Sequence, residues 1–214
     1  MYENYIKLKK PIVQWLNIFM LVSILFSFIA YFNGLTINKT PFYLIITTII
    51  EIVIIISGFL MLLFPNVPSS YENLKKNSKI FMTIGFLSSY GFIFSFYNIY
   101  YFMAAEIDVN LTKFWIVNLV FMLISFSSHI LSLILLSYSP KFIKNKTSLV
   151  MVLKLLVYLI YIQKILEYFM IPNILDSHFM LVIVIVIIPI SNYICTQLYM
   201  FYIESISKVE IKKA

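Results

Sequence analysis

The sequence predicts an all-α membrane protein, with six transmembrane helices in one bundle and both termini in the cytoplasm. Hydrophobic residues make up 62% of the chain and charged residues only 12%, and the mean hydropathy is +0.95. Apolar runs of about 20 residues recur along the chain, and a helix of that length crosses the roughly 30 Å hydrocarbon core of a bilayer. The predicted helices cover residues 11–33, 41–64, 80–103, 114–138, 149–170 and 180–203.

The positions of the lysines predict the orientation of these helices. All sixteen basic residues are Lys, and short loops rich in Lys remain on the cytoplasmic side of a membrane. Most of them lie in four regions that would share one side, namely 7–10, 75–79, 141–146 and 208–213. This topology explains the net charge of +7, so the expected partner is the lipid bilayer and no nucleic acid is required.

Small residues recur at helical spacing in the first, third and fourth helices. Helices associate in lipid through such faces, because apolar side chains gain little by leaving lipid for protein. We therefore expect packing faces there, with the serines of the fourth helix as an alternative lining of a substrate path. The residues are Ser23, Ser27, Ala30 and Gly34, then Gly85 and Ser89, then Asn118, Ser125, Ser128 and Ser132.

The second helix contains an acidic residue, Glu51, about 15 Å from its outer end and thus near the bilayer centre. A carboxylate at that depth needs a cation or a proton, because its short side chain cannot reach water. Lys164 of the fifth helix lies at a similar depth, so we expect these two residues to pair, with Glu167 sharing the ammonium group. Such a pair is either a structural clasp or part of a substrate path.

The longest inner loop precedes the third helix and reads PNVPSSYENLKKNSK. Ser69 and Glu72 have the spacing of a capping box, which predicts a short cytoplasmic helix over residues 69–79. Together with Lys75 and Lys76, these residues form a candidate docking surface for a partner ATPase. A helix of this composition is also typical of one that lies on the lipid surface.

The fourth helix places His129 within the membrane, beside Ser128. A histidine there either relays protons or is a neutral side chain bonded to a neighbouring hydroxyl or carbonyl group.

The fifth helix combines charge with aromatic residues in the stretch YLIYIQKILEYFM. Lys164 and Glu167 are three residues apart, so they can pair on one face. A stripe through Lys154, Tyr158 and Tyr161 is expected to face protein or water. An ion pair near the membrane interface, below a belt of tyrosines, is the simplest structural interpretation.

The sixth helix contains Pro189, which removes one backbone hydrogen bond and predicts a kink. Elsewhere the chain lacks catalytic motifs. Its four glycines do not form a phosphate-binding loop, and neither a nucleophile elbow nor a zinc-binding helix motif is present. We therefore expect no enzymatic activity and no cofactor, and any ATP hydrolysis would belong to a separate chain.

The opening YIKLKKPIVQWLNIFMLVSILF, with its lead-in ENYIKLKK, resembles small type-2 ABC exporter permeases, especially those of lantibiotic self-protection exporters in Gram-positive bacteria. The six spans and the capped inner loop share that resemblance. It implies a plasma-membrane permease subunit that expels an amphipathic antimicrobial peptide, powered by a separate ATPase and often accompanied by a second permease. No catalytic residue carries over. The very short outer loops depart from those of larger relatives.

Two other classes of function fit a six-span chain of this size. One is the substrate-binding subunit of an energy-coupling vitamin importer, whose ligand would lie beneath the outer loops near Glu51, Lys164 and Asp176. The other is a scaffold subunit of a membrane complex, in which every polar stripe would be a contact between helices.

Overall fold

Helices account for the regular secondary structure of the described chain. The structure, a computed structural model, describes residues 2–137, 145–171 and 178–210. Short 3-10 turns lie at Ile37–Lys39 and Met61–Leu63. The α-helices are α1 (Tyr2–Lys9), α2 (Ile12–Ser27), α3 (Ile29–Phe32), α4 (Phe42–Leu60), α5 (Tyr71–Glu106), α6 (Thr112–Ser137), α7 (Lys146–Val157), α8 (Leu159–Met170) and α9 (His178–Glu210).

Six segments are long and apolar enough to cross a membrane, which confirms the predicted class of multi-pass helical membrane protein. We number them as the first to sixth spans. Their bounds are Glu3–Phe32, Phe42–Leu63, Tyr71–Glu106, Thr112–Ser137, Lys146–Met170 and His178–Ile206. The fifth span is divided near Tyr158 into two helices. The sixth span stays helical through Pro189, so the proline does not end this helix. The kink at this position stays a prediction.

The separate cytoplasmic helix predicted over residues 69–79 is wrong. From Tyr71 the chain continues without a break into the third span, as one helix of 36 residues. The N-cap is Ser70, whose side chain accepts a hydrogen bond of 3.2 Å from the backbone N–H of Asn73. Ser69 instead accepts a hydrogen bond of 2.9 Å from the side chain of Asn73. The helix continues because nothing between the cap and the membrane breaks its backbone hydrogen bonding, so the residues of the predicted cytoplasmic helix form the first turns of the third span.

The third span is the central helix of the bundle. In its most apolar window 61% of the residues are buried, against 33% to 39% in the other spans. It packs closely against the first, second and sixth spans, while the fourth span packs mainly against the fifth. The bundle therefore has two parts, a four-span core and a hairpin made of the fourth and fifth spans.

Close approach within the four-span core depends on glycine. A Cβ added at Gly85 of the third span would lie 2.6 Å from Cδ1 of Leu198 and 3.3 Å from Cγ2 of Val13. A Cβ added at Gly58 would collide with the side chain of Asn17. Small residues at these contacts let the helix backbones approach each other, as the sequence predicts for membrane helices.

Polar contacts show which segments share an end of the bundle. Asn4 donates a hydrogen bond of 2.8 Å to Glu204, so the first and last helices meet there. At the opposite end, Lys39 and Asp108 form an exposed ion pair of 3.0 Å between two loops. The lysine pattern predicts that the end carrying the termini is cytoplasmic. Part of that pattern lies outside the described residues, at Lys141, Lys144, Lys212 and Lys213.

The contact at Gly85 gives a test of this packing. Gly85→Val should lower the free energy of unfolding in detergent by about 1–3 kcal/mol, because the added methyl groups meet Leu198 and Val13. The control is Thr83→Val, since Thr83 lies on the same helix but is exposed. Equal melting temperatures for the two variants would contradict the packing described here.

Candidate functional site

The fifth span contains a buried ion pair. The ammonium group of Lys164 and the carboxylate of Glu167 are 2.9 Å apart, and their side chains are 0% and 1% exposed. They share the buried face of α8 with Ile160 and Gln163, at the i, i+3, i+4, i+7 spacing of one helical face. The two side chains pair as their spacing predicts, but they lie inside the protein and not at an exposed interface.

The third and fourth spans supply the remaining partners of this ion pair. Tyr97 donates a hydrogen bond to Oε1 of Glu167. The Tyr101 hydroxyl lies within hydrogen-bonding distance of both the Tyr97 hydroxyl and the same Oε1 atom, and shares its single proton between them. Lys164 donates a hydrogen bond of 2.5 Å to Oδ1 of Asn118. Its ammonium nitrogen also lies 3.1 Å from the centre of the Tyr97 ring, where a cation is attracted to the face of the aromatic system.

These contacts make a closed, electrically neutral cluster that joins three spans. A buried ion pair is tolerated in an apolar environment when further hydrogen bonds satisfy both groups. Lys164 has a carboxylate, an amide oxygen and an aromatic face as partners. We did not expect the tyrosines from the sequence, although the stretch SFYNIYYFM places three tyrosine hydroxyls within one membrane span.

Glu51 belongs to a different set of contacts. Its Oε1 atom accepts a hydrogen bond of 2.8 Å from the amide of Asn98, which also donates one of 3.1 Å to Thr47. Among the described residues Glu51 forms no ion pair, so the expected pairing with Lys164 is wrong.

The packing of the spans explains why this expectation fails. The second span packs against the first and third spans, so the face carrying Thr47, Glu51 and Gly58 meets Asn98 and Asn17. Lys164 lies on the fifth span, which packs against the fourth. A similar depth in the membrane therefore does not bring the two charges together.

An apolar groove adjoins Glu51 between the second, third and fourth spans. Its volume is about 210 Å³. Glu51 and Thr47 are the polar members of the second span in its wall, and the aromatic rings of Phe94 and Phe126 lie opposite. Glu51 is only 3% exposed. The groove is thus an apolar surface with a single buried carboxyl group directly behind it.

His129 lies in a second polar cluster, nearer the end of the bundle that carries the termini. Its Nδ1 atom is 3.0 Å from the hydroxyl of Tyr90, and its Nε2 atom is 3.3 Å from that of Thr196. Tyr90 in turn donates a hydrogen bond of 2.8 Å to Oδ1 of Asn192. The cluster joins the third, fourth and sixth spans. Its contacts match one of the two interpretations of His129 from the sequence, a side chain bonded to neighbouring hydroxyl groups.

The hydrogen bonds of this cluster can be arranged in more than one way. The Tyr90 hydroxyl donates a hydrogen bond to the side chain of Asn192. The Thr196 hydroxyl donates a hydrogen bond of 2.9 Å to the backbone oxygen of Asn192. Both oxygens can therefore accept from His129, but a neutral imidazole has only one N–H group. A neutral ring satisfies both contacts only if one hydroxyl turns its proton towards the ring.

The residues predicted for partner docking form an exposed surface at the start of α5. The side chains of Ser69, Glu72, Lys75 and Lys76 are exposed. Leu74, between them, is 1% exposed and packs into the core of the chain itself. A partner on this surface would therefore meet charged groups and not an apolar helix face.

Metal ligands do not cluster in the part of the chain that the structure describes, where no group of three His, Cys, Asp or Glu residues could hold an ion.

Comparison with protein families gives a match over residues 2–212 to a model described as a domain of unknown function, DUF5079. The chain belongs to the DUF5079 family. No curated protein and no solved structure matches it.

The buried ion pair predicts a specific pattern of stability. Lys164→Gln and Glu167→Gln should each lower the free energy of unfolding in detergent by about 3–5 kcal/mol, because each change leaves one buried charge without its partner. The double variant should recover most of that loss. Thermal unfolding of all three variants measures the coupling between the two residues.

The matched control for this cycle is the exposed pair of Lys39 and Asp108, whose side chains are 59% and 70% exposed. Lys39→Gln and Asp108→Asn should each change stability by less than about 1 kcal/mol, because water screens this pair. Additive losses at Lys164 and Glu167 would show that the two charges are not coupled.

Proposed function

We propose that this chain is a permease subunit of an ATP-driven exporter in a bacterial plasma membrane, and that it expels an amphipathic cationic peptide. The proposal extends the resemblance of the N-terminal sequence to small exporter permeases. In this proposal a separate chain hydrolyses ATP, and a second permease can complete the pathway.

The observation that carries the proposal is the carboxyl group of Glu51 in the wall of an apolar groove. Its hydrogen-bonding partner, Asn98, is an uncharged amide. In a low-dielectric environment a carboxylate attracts a cation strongly, because water does not screen the charge. A substrate with an apolar surface and a positive group matches both properties of the groove.

The position of the groove favours entry from the membrane. Ile50 and Leu123 line it and are 52% and 54% exposed on the apolar outside of the bundle. Its volume of about 210 Å³ is below the roughly 300–1,000 Å³ of pockets that enclose a whole small ligand. We therefore assign to it one segment of a substrate that remains partly in lipid.

The exposed surface of Glu72, Lys75 and Lys76 is the proposed contact with the ATPase subunit. It lies on the first turns of the long third span, whose later turns carry Tyr97 and Asn98. A movement of this helix at its cytoplasmic end would therefore directly affect the contact of Tyr97 with Glu167 and that of Asn98 with Glu51. This continuity replaces the separate coupling helix expected from the sequence.

Peptide resistance tests the role of Glu51. In native host cells that lack the chromosomal copy, Glu51→Gln should lower the minimum inhibitory concentration of a cationic lantibiotic about tenfold relative to wild type, because one charge-assisted contact is lost. Glu51→Asp should retain part of the protection. The amount of each variant in the membrane is measured in parallel.

Glu106→Gln is the matched control, because it makes the same chemical change at the end of the third span, away from the groove. Full resistance in the Glu51→Gln strain would overturn the assignment of the groove. Full resistance without any copy of the chain would overturn the exporter itself. A vitamin requirement in cells without any copy of the chain would instead favour the substrate-binding subunit of a vitamin importer.

Charge reversal tests the proposed contact with the ATPase. Replacing Lys75 and Lys76 together by Glu should abolish the ATPase activity that co-purifies with the tagged chain from native membranes in mild detergent. Both side chains are exposed, so the fold is expected to survive.

The control for this experiment reverses two lysines predicted to lie on the outer side, Lys39→Glu with Lys113→Glu. That variant should keep the ATPase activity. Equal loss in both double variants, or ATPase activity absent from the wild-type preparation, would contradict a specific contact at Lys75 and Lys76.

A further inference from the structure

A second cavity lies between the hairpin and the sixth span, separate from the groove at Glu51. Its volume is about 350 Å³, within the range of pockets that bind small ligands. One helical face from each of three spans forms its walls. On the fourth span this face runs from His129 to Leu136 and on the fifth from Lys154 to Tyr161, which makes a slot about 10 Å long.

The polar groups in this slot are suited to an anion. Lys154 supplies a cation, and the hydroxyls of Tyr158 and Tyr161 lie on the same face of the fifth span. The lining contains no Asp or Glu. Among the residues that the structure describes, Lys154 takes part in no ion pair, so its charge is not neutralised by the protein there.

The apolar part of the lining resembles a surface for acyl chains. Leu133 and Val157 are apolar walls of the slot. Leu136 and Tyr158 also line it and are 51% and 61% exposed, so the slot opens on the outside of the bundle. Lys154 lies eight residues after the start of α7, about 12 Å along the helix. A long lysine side chain at that position extends towards the headgroup region.

From these observations we propose that the slot binds the phosphate headgroup of an anionic phospholipid, with Lys154 as the cationic contact and Tyr158, one helical turn further along the same face, as a hydroxyl contact. The acyl chains would lie along Leu133 and Val157. Clusters of basic and polar groups between spans on the cytoplasmic side are a known chemistry for such lipids. The inference does not depend on the transport proposal.

A bound lipid here would act between the two parts of the bundle. The fourth and sixth spans have few direct backbone contacts, and the slot lies between them. An acyl chain in the slot would contact both parts, so the lipid is expected to stabilise the docking of the hairpin. Ligands that bind only the folded protein raise its melting temperature in this way.

Short-chain lipids test the proposal with the purified full-length chain in neutral detergent. Dihexanoyl phosphatidylglycerol should raise the melting temperature at lower concentrations than dihexanoyl phosphatidylcholine, whose phosphate is balanced by a choline. Lys154→Gln should weaken the response to phosphatidylglycerol about tenfold, since one charged hydrogen bond is lost. Lys154→Arg should restore most of it, and Tyr158→Phe should weaken it less than Lys154→Gln.

Lys113→Gln is the control, because it removes one exposed lysine at the opposite end of the fourth span. It should leave the response to phosphatidylglycerol unchanged. Equal responses to the two lipids, or equal loss in the Lys113 and Lys154 variants, would overturn the site. An equal rise in melting temperature with glycerol 3-phosphate would show a site for soluble anions and would overturn the assignment to a lipid.

Discussion

A polar group within the hydrocarbon of a bilayer has to find its partner in the protein, because lipid offers none. In this chain the third span supplies those partners. Tyr90 contacts His129, Tyr97 contacts Glu167, and Asn98 contacts Glu51. The most buried span of the bundle is therefore also the one that holds its polar side chains in place.

The two parts of the bundle are held by different kinds of contact. Within the four-span core, helices approach closely at glycine, as Gly58 and Gly85 show. The hairpin instead meets the core through long side chains, such as Tyr90 and Phe126, whose rings are tilted by 59° with their centres 4.5 Å apart. Two cavities also border the fourth span, at successive levels along the helix. A displacement of the hairpin would consequently disturb less close backbone packing than a displacement within the core.

Lys164, Glu167 and Glu51 have two different roles. Lys164 and Glu167 are neutral as a pair, and hydrogen bonds from other spans satisfy both groups, so this cluster is suited to holding three spans together. Glu51 has a single amide partner and borders an apolar groove. Only the second arrangement leaves a carboxyl group without an ionic partner among the described residues, and the proposed exporter function therefore depends on Glu51 and not on Lys164.

The sequence alone determined the class of protein, the number of spans and the pairing of Lys164 with Glu167, because hydropathy, length and the spacing along one helix are local properties. It did not determine which helices are neighbours. Depth in the membrane suggested that Glu51 meets Lys164, but depth is only one of three coordinates. The second span, which carries Glu51, packs against the first and third spans, whereas the fifth span, which carries Lys164, packs against the fourth. For the same reason the sequence did not reveal the roles of Tyr97 and Asn98, because their partners lie 70 and 47 residues away along the chain. Contacts between helices follow from the fit of whole surfaces, and only the tertiary structure contains that fit.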